Sequence, residues 1–203
     1  MPSIRILGGD HKNTSIHFPH HEGLRPTMHR VRQSAFDMVI HRFYSHQIGQ
    51  NHTFTGLRIL DICAGLGGYG FEALSRGAQH VTFIEQDPNL AKHISLVAQS
   101  WNMADRMHVL NRPWPIQASI GAANSIDIAF FDPPYDQEPV LMAQMIESCA
   151  VWIKPEGLLM VESNGPLPEL TTFSLVFLRT IGKKHISFLQ KTAPEPQQEG
   201  IPC

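Results

Sequence analysis

The segment that most constrains this chain runs from Leu57 to Gly70. Leu57-Arg58-Ile59-Leu60-Asp61-Ile62 is a short apolar run, and it breaks directly into Cys63-Ala64-Gly65-Leu66-Gly67-Gly68-Tyr69-Gly70. An apolar run that stops at a glycine-rich turn reads as a buried strand feeding a helix, the opening unit of an open α/β sheet. The downstream segments keep that rhythm. His80 to Ile84 is rich in β-formers, Pro88 to Ser100 reads as a helix with proline near its start, and Met107 to Leu110 is a further strand. Ile126 to Phe131 reads as a buried strand, Pro139 to Ala150 as a helix and Gly157 to Glu162 as another strand. Phe173–Leu178 and His185–Leu189 form an expected terminal antiparallel pair. Strands alternating with helices predict a mostly parallel, doubly wound sheet.

Upstream of Leu57 the pattern differs. Residues 1–24 are polar, with a short apolar start at Ile4, Ile6 and Leu7 and with His11, His17, His20 and His21. A helix is expected from Thr27, which can cap it, to about Tyr44, and residues 45–56 read as a loop. The expected organisation is an N-terminal extension over 1–50, a principal domain over 51–191 and a disordered Pro/Gln/Glu-rich tail over 192–203. With 42% hydrophobic and 17% charged residues the chain is expected to fold and to be soluble. It shows neither an apolar stretch of membrane-spanning length nor the apolar core of a signal peptide. Cys63, Cys149 and Cys203 are scattered, so no disulfide framework or zinc spacing emerges and a cytoplasmic location is expected. His17, His20 and His21 are close together, but no cysteine or carboxylate completes a metal site, and none is expected. The formal net charge of −2 does not advertise a nucleic-acid binder. Residues 1–50, however, carry Arg5, Lys12, Arg25, Arg30, Arg32 and Arg42 against Asp10, Glu22 and Asp37, and a local basic face can hold phosphates on a neutral protein.

Gly65, Gly67 and Gly70 match G-x-G-x-x-G, and Glu85 stands at the end of the next expected strand. This spacing fits a dinucleotide site, with glycines for close approach and an acid for ribose hydroxyls. It fits S-adenosylmethionine equally well. Asp61 tilts the balance: an acid before the glycines can reach a cationic amino-acid group, whereas a pyrophosphate would gain nothing from it. The candidate cofactor-binding residues are Asp61, Ala64, Gly65, Gly67, Glu85 and Gln86, with Asp132 shared.

Asp132-Pro133-Pro134-Tyr135 ends the run Ile126–Phe131. An exocyclic base amine is a poor nucleophile, because its lone pair is delocalised into the ring. Acceptors on its protons aim that lone pair and favour the positive charge that develops on nitrogen. The Asp132 carboxylate and the Pro133 carbonyl suit this role. Paired prolines stiffen the turn and remove backbone donors, and Tyr135 offers a face for base stacking. Asp132, Pro133, Pro134 and Tyr135 are the candidate catalytic residues. Gly65 and Asp132 come together if their strands are neighbours.

The combination resembles the RsmD-type family, the bacterial 16S rRNA guanine-N2 methyltransferases of the small ribosomal subunit. The resemblance runs from about Ile4 to Leu189. Ile4-Arg5-Ile6-Leu7-Gly8-Gly9 is similar to the family's opening strand, and Gly23-Leu24-Arg25-Pro26-Thr27 with Arg30-Val31-Arg32 to its most distinctive N-terminal signature. Phe71-Glu72-Ala73-Leu74-Ser75-Arg76-Gly77-Ala78, Val81 to Glu85 and Asp132 to Tyr135 complete the pattern. The resemblance implies a Rossmann-like class I S-adenosylmethionine-dependent methyltransferase, with a seven-stranded sheet and an added N-terminal hairpin. It implies methylation of a guanine N2 amine in small-subunit rRNA, free or in an assembling 30S subunit, by a monomer. Arg25, Thr27, Arg30, Arg32 and Tyr135 are the implied substrate-binding residues. The sequence departs from the family at Asp10-His11-Lys12-Asn13-Thr14-Ser15, less basic than usual, and at Cys63 and Leu66. It departs again at Asn111-Arg112-Pro113-Trp114, where Pro113 replaces an acid and adenine recognition shifts to backbone groups or Trp114. Three rivals stay open: an adenine-N6 methyltransferase on DNA or RNA, a catalytically degenerate RNA-binding scaffold, and an NAD-dependent oxidoreductase.

Overall fold

The computed structural model describes residues 3–18, 29–45, 53–115, 121–134 and 137–192. The chain opens with a hairpin of β1 (Ser3–Arg5) and β2 (Ser15–His17), then α1 (His29–Met38), which continues into a π-helical stretch Val39–Phe43. The expected cap of this helix, Thr27, lies outside the described residues. The alternating segment becomes β3 (Arg58–Ile62), α2 (Gly68–Ser75), β4 (His80–Glu85), α3 (Pro88–Ser100), β5 (Met107–Asn111), β6 (Ile126–Phe131), α4 (Pro139–Glu147) and β7 (Ile153–Ser163). The antiparallel end is β8 (Phe173–Ile181) and β9 (Lys184–Lys191).

The strands form one 7-stranded sheet in the order β5-β4-β3-β6-β7-β9-β8. β3 pairs in parallel with β4 on one side and with β6 on the other, so the order reverses at β3/β6. That is the switch point at which open α/β sheets leave a crevice beyond their carboxyl ends. The antiparallel pairings of this sheet are those of β9 with β7 and with β8, as expected for the terminal pair. β7 begins at Ile153, earlier than the apolar run alone suggests. The strand passes a register irregularity against Ile126/Ile128 and a left-handed Glu156 at φ 59° before its fully buried stretch.

Side-chain alternation divides the core in two. One cluster, under α1 and α2, holds Phe36, Phe83, Phe130, Met160 and Phe188; the other, under α4, holds Leu60, Phe131, Met145, Leu159 and Leu189. Ile4, Ile6, Ile16 and Phe18 of the hairpin belong to the first cluster, so the hairpin and the sheet share a core. Phe36 is fully buried among the rings of Phe54, Phe130 and Tyr69. α3 begins on schedule because Asp87 accepts hydrogen bonds from Asn89 N at 2.8 Å and Leu90 N at 3.3 Å, with Pro88 at the first helical position. Among the described residues no helix is long and apolar enough to cross a membrane.

Candidate cofactor pocket and catalytic rim

The pocket is set by the strand register. Ile62 pairs with Phe131, so Cys63 and Asp132 leave the sheet side by side, and Asp132 N donates to Ile62 O at 3.5 Å. Ile62 also pairs with Ile84, which brings Glu85 to the same rim. Asp61, Glu85 and Asp132, expected from distant parts of the sequence, therefore meet at adjacent carboxyl ends of β3, β4 and β6.

The glycine turn is built around two of these acids. Asp61 Oδ2 accepts from Gly70 N at 2.8 Å, and Glu85 Oε2 accepts from Gly65 N at 2.7 Å. Glu85 Oε1 takes Asp87 N at 2.8 Å, so the same carboxylate sets both the glycine turn and the start of α3. Burial pushes the Asp61 carboxyl well above its ordinary range, and the charges of Asp132 and Glu85 push it further. Burial also raises the Glu85 carboxyl, against the backbone donors that lower it. Such a cluster is short of positive charge and suits a cationic ligand group.

The glycines divide the work. Gly67 has φ 74°, and a Cβ there would stand 2.8 Å from the Phe71 ring; at Gly70 it would stand 2.1 Å from Phe83. Those two exist for packing. Gly65 has φ 55°, and its nearest would-be contact is Cys63 O at 4.0 Å, so it turns toward open space beside Glu85. Ala64 is buried and its N–H donates to Ile84 O at 3.0 Å, while Gln86 is exposed at the rim. Acids for hydroxyl and ammonium groups, with a glycine wall that admits close approach, fit S-adenosylmethionine. Burial, then the charges of Glu85, Asp132 and Asp61, push the Cys63 thiol up to about 12.

At the end of β5, Asn111 Nδ2 donates to Glu85 O and Gln86 O, both at 2.9 Å, and ties the rim of β5 to that of β4. The Trp114 indole N–H is committed to Met145 O at 2.9 Å, and the ring packs on the α4-side core. Its N–H is therefore not available to an adenine.

Of the expected catalytic turn, Pro133 is buried, Pro134 is exposed and Asp132 is half-buried. Tyr135 lies outside the described residues, as do Arg25 and Thr27. Arg30 is exposed on the first turn of α1. At Arg32 the structure departs from the reading of this segment as a phosphate-binding face. It is 1% exposed, donates to Arg5 O and stands 4.0 Å from Glu72 Oε2. Glu72, fully buried, also accepts from Leu7 N at 2.8 Å and Arg76 Nε at 2.7 Å. Arg32 fastens the hairpin to α1 and α2, and its guanidinium is not exposed to solvent.

A second group carries no sequence motif. Tyr69 stacks on Phe130 with centroids 4.9 Å apart and donates its hydroxyl proton to Glu162 Oε2 at 3.3 Å. Lys184 Nζ stands 3.0 Å from Glu162 Oε1. The signal in the sequence is positional: Glu162 ends an apolar run as Glu85 and Asp132 do.

Comparison with known proteins agrees with this geometry. The model of the family described as Conserved hypothetical protein 95 matches residues 4–190. Ribosomal RNA small subunit methyltransferase D of Haemophilus influenzae is 30% identical over 178 residues, covering 87% of this chain and 86% of that protein. A solved Escherichia coli structure, yhhF, described as a proposed methyltransferase, superposes with TM-score 0.78 at 26% identity, over 95% of this chain and 100% of that one. An RNA methyltransferase from Salinibacter ruber in complex with S-adenosyl-L-homocysteine shares the fold alone, at TM-score 0.62 and 12% identity over 85% of this chain and 97% of that one. From its N-terminal hairpin to its antiparallel end, this chain belongs to the Conserved hypothetical protein 95 family, the RsmD-type methyltransferases.

Proposed function

We propose that this protein transfers a methyl group from S-adenosylmethionine to the exocyclic N2 amine of a guanine in small-subunit ribosomal RNA, free or within an assembling 30S particle. The observation that carries the reading is the convergence of Asp61, Glu85 and Asp132 beside the Pro133 carbonyl at the switch point. Ribosomal RNA as substrate is supported by the Haemophilus influenzae relative, and guanine N2 by the motif resemblance.

When bound, S-adenosylmethionine supplies an electrophilic methyl group on a sulfonium. Glu85 is suited to ribose hydroxyls through its remaining lone pairs, and Asp61 to the ammonium end. Asp132 and the Pro133 carbonyl accept the protons of the target amine, hold its lone pair in line and favour the charge that grows on nitrogen. Pro133 and Pro134 keep those acceptors fixed. Tyr135 stacks on the extruded base, and Arg25, Thr27 and Arg30 meet the flanking nucleotides. Residues 1–50 form the RNA-facing part of a cytoplasmic monomer.

The test incubates the protein with unmodified small-subunit rRNA and labelled S-adenosylmethionine, then separates the nucleosides by mass. N2-methylguanosine is the expected product. N6-methyladenosine would transfer the activity to the adenine rival, and RNA binding without cofactor binding would favour the degenerate scaffold.

A further inference from the structure

We propose that the tip of the β8–β9 hairpin, through Arg179 and Lys183, is a second RNA-backbone contact of the catalytic rim; the inference rests on the reading of this protein as an RNA methyltransferase. Parallel β7 ends at the rim, and β9 runs back against it with Ser163 paired to His185 and Glu162 to Ile186. The β8–β9 turn therefore lies at the carboxyl edge of the sheet, the edge that carries Asp132. Laterally it is two to three strand spacings from Asp132, about 10–14 Å, and the turn projects about three residues, roughly 10 Å, further out along the strand. A strand whose base enters at Asp132 can reach this tip with its flanking phosphates.

The tip is rigid. Gly182, at φ 62°, occupies the first position of a two-residue turn between Ile181 and Lys184, which pair directly. A glycine there is what a tight primed turn demands. Just behind it, Lys184 is held by Glu162, itself 1% exposed and bonded to Tyr69 of the glycine turn. The hairpin is thus fastened to the element that shapes the cofactor pocket.

Its charge is one-sided. Residues 173–191 contain Arg179, Lys183, Lys184 and Lys191 and no Asp or Glu, in a chain whose net charge is −2. Lys191 is spent at the far end on Asn124 and the carbonyls of Ala150 and Ile153. Lys184 is neutralised by Glu162. Arg179 and Lys183 remain exposed at the rim end. Arg179 shares a face with Phe177, two residues away on the same strand, and Arg42 lies 3.8 Å over that ring. Cations therefore continue from the tip down the α1 side of the edge strand. An unbalanced run of cations leading to a base-modifying centre fits a polyanionic backbone, read by charge and not by sequence.

The test compares wild type with the Arg179→Ala/Lys183→Ala double variant on unmodified small-subunit rRNA across a salt series. The slope of log affinity against log salt is expected to fall by about 1–2, one phosphate contact per removed cation. Affinity at low salt is expected to fall about tenfold or more, with KM for RNA raised and kcat and S-adenosylmethionine affinity unchanged. Lys154→Gln, at the opposite edge of the sheet, should match wild type and so exclude a nonspecific effect of lost charge. Equal affinity and equal salt slope in the double variant would overturn the proposal. Failure of wild type itself to bind or methylate the RNA would overturn the parent reading, and this one with it.

Discussion

Three acids at the rim have similar side chains but different duties, and substitution should separate them. Asp132 is anchored through its own N–H to Ile62 O at the end of β6, which sets its carboxylate on the rim beside Pro133. Asp132→Ala is expected to cost at least about a hundredfold in methyl transfer, the scale for loss of one aimed polar group, while calorimetry shows S-adenosylmethionine affinity within a few-fold of wild type. Equal loss of both would contradict the assignment. Glu85 instead accepts from Gly65 N and Asp87 N, so Glu85→Ala removes a candidate ribose acceptor and orphans the donors that shape the turn. Cofactor affinity is expected to fall about tenfold or more, at about 1.4 kcal/mol per decade; an unchanged dissociation constant would refute it. The glycines separate by stability. Gly70→Ala drives a Cβ to 2.1 Å from Phe83, which is fully buried and has nowhere to retreat, so about 1–3 kcal/mol or more is lost. Gly65→Ala meets open space but must hold φ 55°, for about 1–2 kcal/mol. Denaturant midpoints should rank Gly70→Ala below Gly65→Ala in stability.

At the scale of elements, the N-terminal hairpin, α1 and α2 are joined through one buried carboxylate. Glu72 holds Leu7, Arg76 and Arg32, so Glu72→Ala leaves buried cationic and backbone donors without their acceptor and should cost about 3–5 kcal/mol in urea unfolding. Arg32→Ala should also destabilise, yet leave the salt slope of RNA binding unchanged. A lower slope at full stability would restore the phosphate-binding role. This joint also marks the limit of what a sequence reveals. The parallel strands are legible because strands buried on both faces read as apolar runs, and the terminal acids and glycines fall at their ends. Arg32 misleads because a charge shows in sequence while its partner, across the hairpin–helix packing, does not. Glu162 stays hidden for the same reason: its bonds to Tyr69 and Lys184 exist only once β7 lies beside β6 and β9. β8 is longer than its sequence suggests, since Leu175, Val176 and Leu178 are exposed on an edge strand and lack the contrast that marks boundaries.

For the molecule as a whole, assembling the rim carries a cost that depends on pH. Asp61 is pushed well above 3.8 by burial and then by Asp132 and Glu85, with the Gly70 N–H and Arg32 acting in the opposite direction. In the unfolded chain the same group ionises at its ordinary value. Between the two values the folded protein holds a proton that the unfolded chain has released. The contribution of Asp61 is therefore most favourable in acid and is lost as pH rises through that window, by at most about 1.4 kcal/mol per pH unit. Glu85, also raised by burial, acts with the same sign, whereas His80 and His93, both lowered by burial, act with the opposite sign as pH falls below 6.5, so the wild-type curve alone mixes these effects. Asp61→Asn isolates the contribution of Asp61. It keeps an acceptor for Gly70 N and cannot titrate. The difference in unfolding free energy, wild type minus Asp61→Asn, is expected to decline from pH 4 upward and then level off. A difference independent of pH would mean that Asp61 titrates at its ordinary value and that the rim is better solvated than its burial indicates. A cationic ligand should act against that decline, because an ammonium group beside Asp61 favours the ionised carboxylate. Saturating S-adenosylmethionine is therefore expected to stabilise wild type more as pH rises, and to stabilise Asp61→Asn by an amount that varies less with pH.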